Sequence, residues 1–255
     1  MKRNRKCAAK IINISNMHTM FRTKYLPREL RILYDVRHQY LIEIYDIFNV
    51  DNLIFIFMEF ATKSDLCDYL IRTARALSEP HSCKWFWQIS TALNYLHCDK
   101  CIAHRDIKIE NILITEDYTT KLTDFGFSAY VFMDGNNEPE QSHTYCGTKP
   151  YKSIQIAQMR PYNPFKADIW ALGVVLFLLL NNHYPFHYND MKLMVNEQLD
   201  CNFIPRRLKP TLSNSSKQLI MEMFEIDETK RIDTVNILKH QWLIEYLDQS
   251  LVISE

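Results

Sequence analysis

The first part of the chain contains three short apolar runs. Residues 6–13 form the first run, which predicts a β-strand. Residues 42–48 and 53–58 are apolar runs on either side of the polar segment 49–52, and this pattern predicts a β-hairpin. The beginning of the chain is therefore expected to consist mainly of strands.

One helix is predicted between the first two apolar runs. Three leucines recur there at helical spacing: Leu26, Leu30 and Leu33. The predicted helix covers residues 23–36. Because proline has no backbone N–H and is tolerated only in the first turn of a helix, Pro27 places the start close to Lys24.

Helical periodicity dominates from Asp65 onward. Six segments show it: residues 65–72, 80–97, 163–180, 190–199, 213–224 and 234–247. Between the second and third of these segments, residues 112–115 and 121–123 predict two short strands. Residues 128–152 predict a long irregular loop, and loops of that length are usually functional or disordered.

These patterns predict an α+β fold with two lobes. The boundary is expected at residues 59–64, where strand periodicity gives way to helical periodicity. A small strand-rich lobe with one helix then covers residues 1–62, and a larger, mainly helical lobe covers residues 63–247. A short tail covers residues 248–255. A chain of 255 residues is long enough to bury a substantial core.

Composition narrows the classes of partner. Thirty basic residues balance thirty acidic residues, so no large net charge favours nucleic acid or an anionic membrane. The longest apolar stretch, residues 169–180, is shorter than the roughly 20 residues that cross a bilayer, and we interpret it as a buried helix. The basic cluster Lys2, Arg3, Arg5 and Lys6 fits a solvated chain end better than a nuclear address.

Cysteine usage bears on the cellular compartment. The seven cysteines are an odd number, and no apolar run follows the basic N-terminal residues to form a signal peptide. We therefore expect a reducing, cytoplasmic location and a monomeric chain that binds neither nucleic acid nor membrane.

Two groups of polar residues stand beside the predicted short strands. Asp106, Lys108 and Asn111 place a carboxylate, an ammonium and an amide just before the strand at residues 112–115. Asp124 opens an Asp-Phe-Gly tripeptide just after the second short strand. Either motif alone is short enough to occur by chance in a chain of this length. The two together, in this order and beside strands, are a strong signal of a functional site.

With Lys10 on the first predicted strand and Glu29 on the first predicted helix, these motifs resemble those of the eukaryotic protein kinases. The resemblance extends from Lys10 to Trp242. Three segments are similar to those of testis-specific serine/threonine kinases: residues 25–30, 144–148 and 161–173. The resemblance implies a bilobal kinase fold, transfer of the ATP γ-phosphate to Ser or Thr of protein substrates, and a role in spermatogenesis.

The resemblance also assigns roles in phosphoryl transfer, which depends mainly on positioning and charge neutralisation. Asp106 would accept the proton of the substrate hydroxyl, and Lys108 would steady the γ-phosphate. Asn111 and Asp124 would hold Mg²⁺ against the β- and γ-phosphates. A lysine at position 108 resembles the catalytic loop of serine/threonine kinases, whereas tyrosine kinases have a different loop sequence.

The same resemblance identifies residues that would bind ATP. Lys10 would reach the α- and β-phosphates and form an ion pair with Glu29, which helical spacing places on the inward face of its helix. Glu59 and Ala61, at the boundary between the lobes, would also contact ATP.

By resemblance, the long loop carries regulation and substrate docking. Thr144 matches a position that an upstream kinase phosphorylates in related kinases, and a phosphate there would pair with Arg105. An ordinary exposed threonine is an equal alternative at this position. Thr148 resembles the residue of the substrate-docking segment that contacts the catalytic aspartate. Asp168 resembles the carboxylate that anchors the backbone of the catalytic loop.

Two features depart from the kinase pattern. Nine residues precede Lys10 and all four glycines lie downstream of it, so the sequence contains no glycine-rich hairpin to cover the nucleotide. Either the natural start lies upstream of Met1, or the chain is a catalytically impaired kinase that binds protein partners. Gln155 stands where relatives have a glutamate that pairs with an arginine similar to Arg231, so we expect a looser docking segment.

Two further interpretations carry less weight. His97, Cys98, Cys101 and His104 have a spacing similar to a zinc site, but the Cys-x-x-Cys motif lacks a second pair. A small-molecule kinase of related fold is disfavoured, because residues 144–155 resemble a platform for protein substrates.

Overall fold

The computed structural model describes residues 6–136, 138–200 and 202–252. Its first part is a sheet with one helix and its second part is mainly helical, so the α+β prediction is confirmed. The predicted basic cluster before Lys6 lies outside the described residues, as do residues 253–255 of the predicted tail.

The N-terminal sheet has three antiparallel strands. They are β1 (Cys7–Asn13), β2 (Ile44–Val50) and β3 (Leu53–Glu59), in the spatial order β1-β3-β2. The register places Lys10 opposite Ile56, which is completely buried. The hairpin between β2 and β3 is tighter than predicted and turns at two residues, because Asp51 adopts the left-handed φ of 53° that such turns favour.

The helix of the first part, α1, covers Leu26–Asp35 and has Pro27 in its first turn, as predicted. A π-helical turn over Phe21–Tyr25 precedes it and was not expected. Helical structure therefore begins before Lys24, because the N–H groups of a π turn bond five residues back and need no N–H from the proline that follows. Glu29 lies among the buried residues of α1.

Nine α-helices are described in the second part, and a π-helical turn at Tyr95–Asp99 continues the second of them. They are α2 (Leu66–Thr73), α3 (Glu79–Asn94), α4 (Ile154–Ala157), α5 (Pro164–Asn181), α6 (Met191–Leu199), α7 (Phe203–Arg207), α8 (Asn214–Met223), α9 (Thr234–Leu238) and α10 (Gln241–Val252). The short helices α4 and α7 were not predicted. Residues 234–247 were predicted as one helix, but the helix breaks because His240 Nδ1 accepts the Trp242 N–H and begins α10.

Two pairs of short strands lie between α3 and α4. β5 (Ile112–Ile114) pairs with β6 (Thr120–Leu122), which confirms the two predicted strands, and β4 (Ile102–Ala103) pairs with β7 (Ala129–Tyr130). Apart from β7 and a 3-10 turn at Lys149–Tyr151, the segment 128–152 is mainly irregular, as predicted.

The helix α5 forms the centre of the helical part. It is long and apolar enough to cross a membrane, but 89% of it is buried inside the protein, where it packs against α3 and α8. Asn163 caps its start by accepting the N–H groups of Phe165 and Lys166. The prediction of a buried core helix at residues 169–180 is therefore confirmed.

Candidate active site

One amine bridges two carboxylates in a cleft beside the sheet. Lys10 Nζ lies 2.7 Å from Glu29 Oε1 and 3.2 Å from Asp124 Oδ1. The predicted ion pair between Lys10 and Glu29 is therefore present. Because β1, α1 and the segment after β6 each supply one member, this cluster fixes the relative positions of three elements.

The charges of this cluster support one another. Burial lowers the pKa of Lys10, but the carboxylates of Glu29 and Asp124 outweigh it, and the pKa is raised above its usual value. Burial in turn raises the pKa of Asp124, but the Lys10 ammonium outweighs it, and this pKa is lowered. Lys10 and Asp124 are therefore charged at neutral pH.

The cleft around Lys10 has about 310 Å³ of free space and mainly apolar walls. Besides Lys10, Glu29 and Asp124, its lining includes Ala8, Ile56, Met58, Leu113 and Thr123. The sequence analysis missed these apolar positions. The alternation of the strands was the available signal, because it places Ala8 on the same side of β1 as Lys10, and Met58 on the same side of β3 as Ile56.

Glu59 and Ala61 do not belong to the lining of this cleft. The Glu59 carboxylate forms an ion pair with Lys121 at 2.8 Å and accepts the Glu43 N–H at 3.3 Å. Within the described residues, the backbone N–H of Ala61 has no hydrogen-bond partner. A ligand contact at these positions would therefore come from backbone groups.

A second polar cluster surrounds Asp106, which is 5% exposed. Lys108 Nζ lies 2.8 Å from Asp106 Oδ2, and Asn111 Nδ2 donates to the same oxygen at 3.1 Å and to the Asp106 carbonyl at 2.9 Å. Thr148 donates to Asp106 Oδ1 from its hydroxyl at 2.7 Å and from its N–H at 3.1 Å. The expected contact between Thr148 and Asp106 is present, and it satisfies a carboxylate that would be costly to bury unpaired.

The backbone of this loop is anchored by Asp168 of α5. Its Oδ2 accepts the His104 N–H and its Oδ1 accepts the Arg105 N–H, both at 2.7 Å, as expected for this carboxylate. His97 Nε2 also lies 3.0 Å from Asp168 Oδ2. Arg105 has a φ of 64°, which non-glycine residues rarely adopt, and these bonds hold it there.

His104 has a structural environment. It is completely buried, and its Nε2 lies 3.1 Å from the Thr123 carbonyl. Burial lowers the pKa of His104, which keeps the ring neutral. A neutral ring donates from Nε2 to the Thr123 carbonyl, so it ties the loop to the segment that leads to Asp124.

The side-chain oxygens of Asn111 and Asp124 are suitable ligands for a magnesium ion. Asn111 uses its amide nitrogen for Asp106, which leaves its Oδ1 free, and Asp124 Oδ1 faces Lys10 while its Oδ2 has no partner within the described chain. Oxygen ligands of this kind suit Mg²⁺, which usually takes one or two protein ligands together with phosphate oxygens and water. Asn111 and Asp124 are therefore the residues that would hold the ion.

Thr144 and Arg105 are not in contact. The Thr144 carbonyl accepts the Tyr162 hydroxyl, while Arg105 Nε donates to the Phe127 carbonyl at 2.6 Å. Arg105 Nη2 is buried and has no hydrogen-bond partner within the described residues. Burial and the nearby charge of Arg105 lower the pKa of Arg28. Arg28 is therefore a second cation at this site, and the sequence analysis did not identify it.

Gln155 contacts Arg231, as the sequence suggested. Arg231 Nη2 donates to Gln155 Oε1 at 3.4 Å, while Gln155 Nε2 donates to the Ile226 carbonyl at 2.7 Å. The bond to Arg231 is long, and Arg231 is 1% exposed. The amide therefore occupies the expected place without supplying a charge.

The zinc interpretation has no support in the geometry. His97 is bonded to Asp168 and His104 to the Thr123 carbonyl, so both imidazoles have other partners. Within residues 6–136, 138–200 and 202–252, no group of three or more His, Cys, Asp or Glu side chains is arranged to hold a metal ion.

A sheet carrying a partly buried lysine–glutamate pair, set against a helical part carrying Asp106, Asn111 and Asp124, defines a protein kinase domain. The family model described as protein kinase domain matches residues 1–243, and the chain belongs to this family. The kinase resemblance drawn from the motifs is thereby confirmed.

Among known proteins, the chain is similar to testis-specific serine/threonine-protein kinases. It is 37% identical over 237 residues to kinase 2 of this group from Mus musculus, covering 92% of this chain and 65% of that protein. It is 34% identical over 251 residues to kinase 4 from Homo sapiens, covering 94% and 75%. The serine/threonine-protein kinase SIK2 of Gallus gallus is 33% identical over 216 residues, covering 85% and 26%. The chain thus spans about two thirds of the length of the first of these relatives.

Proposed function

We propose that the protein is a serine/threonine protein kinase, which transfers the γ-phosphate of ATP to Ser or Thr residues of protein substrates. The observation that carries this proposal is the position of Lys10 Nζ between Glu29 and Asp124 at the wall of the cleft. Membership of the protein kinase family and similarity to named serine/threonine kinases support it.

In this proposal Asp106 accepts the proton of the substrate hydroxyl. The hydroxyl oxygen forms a bond to the γ-phosphorus, and the bond from this phosphorus to the bridging oxygen breaks to release ADP. Lys108 lies within 3.0 Å of both Asp106 Oδ2 and Thr148 Oγ1, so its ammonium stands where it can steady the transferred phosphoryl group. Such positioning and charge neutralisation account for most of the catalysis of phosphoryl transfer.

The cleft suits ATP in both its apolar and its charged parts. Ala8, Met58 and Leu113 offer apolar walls for the adenine ring, and Lys10 offers an ammonium for the α- and β-phosphates. The Ala61 N–H, which has no hydrogen-bond partner within the described residues, gives the adenine edge a donor at the boundary of the two parts, close to Glu59. Mg²⁺ held by Asn111 and Asp124 would neutralise phosphate charge.

Phosphorylation of a generic basic protein with labelled ATP and Mg²⁺ tests the proposal. We expect incorporation with the natural sequence and a loss of at least about 10²-fold with Asp106→Asn, because the general base is removed. Glu116→Gln, a change of charge at an exposed ion pair with Lys63, serves as the control and should leave incorporation unchanged. Equal incorporation by Asp106→Asn and the natural sequence would contradict the proposal.

A second candidate function is partner binding without turnover. The strand β1 forms one edge of the described sheet, so within the described residues no further strand covers the nucleotide from that side. A thermal shift with Mg-ATP, measured together with phosphate incorporation, separates the two functions, because a ligand that binds the folded state raises its stability whether or not phosphate is transferred. A site that binds but does not transfer phosphate would show the shift without incorporation.

We also propose that an upstream kinase regulates the chain at Thr144. Arg105 and Arg28 both act electrostatically on Cys146, two residues after Thr144, and Arg105 Nη2 has no hydrogen-bond partner in the described part, so these are the cations that a phosphate on Thr144 would recruit. Treatment of the chain with an activating kinase should raise its activity, and Thr144→Ala or Arg105→Ala should remove the increase. Equal activation of Thr144→Ala would contradict this role.

For its setting, we propose a monomer in the cytoplasm that acts in spermatogenesis. The cysteine usage supports the cytoplasmic location, and the testis-specific names of its relatives support the role in spermatogenesis. Size-exclusion chromatography, imaging of a tagged chain and expression across tissues test these three points separately.

A further inference from the structure

Arg231 is a buried cation that needs a counter-charge. Its side chain is completely buried, and Nε and Nη1 donate to the carbonyls of Glu225 and Lys166, both at 2.8 Å. The guanidinium also lies over the Trp170 ring, 5.0 Å from its centre. These partners are neutral, and burial lowers the pKa of Arg231 to about 10. A buried charge without an opposite charge is strongly destabilising, so another residue has to compensate it.

Gln155 does not provide that charge. Its Oε1 accepts from Arg231 Nη2 at 3.4 Å, but the amide is neutral, and its Nε2 is bonded to the Ile226 carbonyl. Gln155 is also the point where Arg231 meets α4, the helix at the end of the segment that carries Thr148. The strength with which Arg231 holds this segment therefore depends on a carboxylate elsewhere.

Glu225 and Asp227 also act on the Arg231 charge, but within the described residues Glu228 is the carboxylate nearest to it. Its Oε1 lies 4.0 Å from Arg231 Nη1, and its side chain is 15% exposed. This oxygen is buried and accepts no hydrogen bond within the described chain, so it is free to face the guanidinium. The other oxygen, Oε2, accepts the N–H of Asn163, the residue that caps α5, at 3.2 Å.

We propose that Glu228 is a positioning residue that supplies the counter-charge of Arg231 and thereby holds the docking segment, residues 145–155, against α5. Its effect on substrate binding rests on the proposed kinase function; its effect on the order of the docking segment does not. Glu228 connects two helices, because it binds the start of α5 through Asn163 and reaches α4 through Arg231 and Gln155. The kinase pattern places the carboxylate that pairs with Arg231 at position 155. In this chain the carboxylate near Arg231 stands at position 228 instead.

Moving the charge tests the proposal. Glu228→Gln removes the charge with little change of shape, and we expect it to raise amide hydrogen exchange in residues 145–155 about tenfold, since a buried charge loses its partner. Adding Gln155→Glu to this variant returns a carboxylate to Arg231. We expect the double variant to bring exchange back to within about threefold of the natural sequence, since the charge pair is restored.

Kinetics add a second measurement. Glu228→Gln should raise KM for a peptide substrate about tenfold with kcat changed less than about twofold, because binding of the peptide is impaired and the chemistry is not. The double variant should restore KM. Glu116→Gln, which removes a charge from an exposed ion pair, is the matched control and should change neither exchange nor KM.

Unchanged exchange in Glu228→Gln, or failure of Gln155→Glu to restore it, would overturn the proposal. If no variant transfers phosphate but exchange follows the expected pattern, the inference is supported and the kinase proposal fails. If Glu228→Gln does not fold, recovery of folded protein in the double variant supports the inference, and a double variant that also fails to fold contradicts it.

Discussion

Individual residues of the site hold backbone conformations that are unfavourable for their type. Arg105 and Asp124 both have a φ of 64°, and such positions cost about 1–3 kcal/mol each unless their surroundings compensate. Arg105 is held by its N–H bond to Asp168, and Asp124 by its ion pair with Lys10. Strain of this kind clusters at functional sites, which agrees with the position of Asp124 in the lining of the cleft and of Arg105 directly before Asp106.

Gly147 is the residue at which a methyl group would be least tolerated. It has a φ of 91°, and a Cβ there would lie 2.9 Å from the Arg105 carbonyl oxygen. We expect Gly147→Ala to lower the free energy of unfolding by about 2–3 kcal/mol, through backbone strain together with this clash. Urea denaturation measures the effect. Gly135→Ala, where a Cβ meets nothing within 4 Å, is the control, and a similar loss in both variants would contradict the explanation.

Among the elements, α5 links the apolar core to the site. Most of its residues are buried, while Asp168 on the same helix accepts two backbone N–H groups of the loop that carries Asp106. The packing of α5 against α3 and α8 therefore determines where Asp106 lies. This arrangement explains why a helix that looks like a purely structural core element also affects the chemistry of the cleft.

Asp168→Asn should therefore lower both stability and activity. Asparagine has one acceptor oxygen, and its amide would face N–H donors, so we expect a loss of about 2–4 kcal/mol in unfolding free energy. Chemical denaturation measures the loss, and phosphate incorporation should fall with it. Asp35→Asn makes the same chemical change at a side chain that is 43% exposed and pairs with Lys100. There we expect the unfolding free energy to fall by less than about 1 kcal/mol. Losses of equal size would contradict the anchoring role.

The end of α2 offers a stabilising change. Ala74 follows this helix with a φ of 50° and a ψ of 24°, a left-handed conformation that glycine adopts without a Cβ penalty. We expect Ala74→Gly to raise the free energy of unfolding by about 0.5 kcal/mol, because relief of strain exceeds the added freedom of the unfolded chain. Ala92→Gly, in the buried interior of α3, should instead cost about 1 kcal/mol or more. A loss of stability in Ala74→Gly, measured by urea denaturation, would refute this account.

At the scale of the whole molecule, several histidines make stability depend on pH. Burial lowers the pKa of four of them: His38, His81, His104 and His240. As the pH falls below about 6.5, the unfolded chain takes up protons that the folded protein resists, so the free energy of unfolding falls. The contribution is largest for His104, which is completely buried, and smaller for the other three, which are partly exposed to solvent.

His81→Phe tests this dependence. Phenylalanine preserves a ring against Trp85, whose centre lies 4.2 Å away, but removes the titrating group. We expect the loss of stability between pH 7.5 and pH 5.5 to be smaller in this variant, measured by denaturation at both values. Burial raises the pKa of Glu228, so this carboxyl makes stability rise as the pH falls, which is opposite to the effect of the histidines. The natural sequence and His81→Phe both contain Glu228, so its contribution cancels when they are compared. An equal loss in both proteins would contradict the assignment.

Prediction from the sequence succeeded where the signal is local. The strands β1 and β3 and the helix α5 follow from periodicity, whereas the ion pair of Lys10 and Glu29 was implied by the resemblance to protein kinases. It failed where a single side chain redirects the backbone, as when His240 begins a new helix. It also missed Arg28, because no local pattern shows that α1 brings a second cation close to Arg105.

The sequence motifs, through their resemblance to those of protein kinases, singled out a lysine, an asparagine and two aspartates as functional residues, because each motif keeps its residue order and spacing along the chain. Only the tertiary structure decided which charges compensate one another. Arg231 finds a carboxylate in Glu228 rather than at position 155, and Asp168 finds its donors in a loop from a distant part of the chain. Coulomb energy depends on distance in space and on burial, and neither quantity is encoded in separation along the sequence.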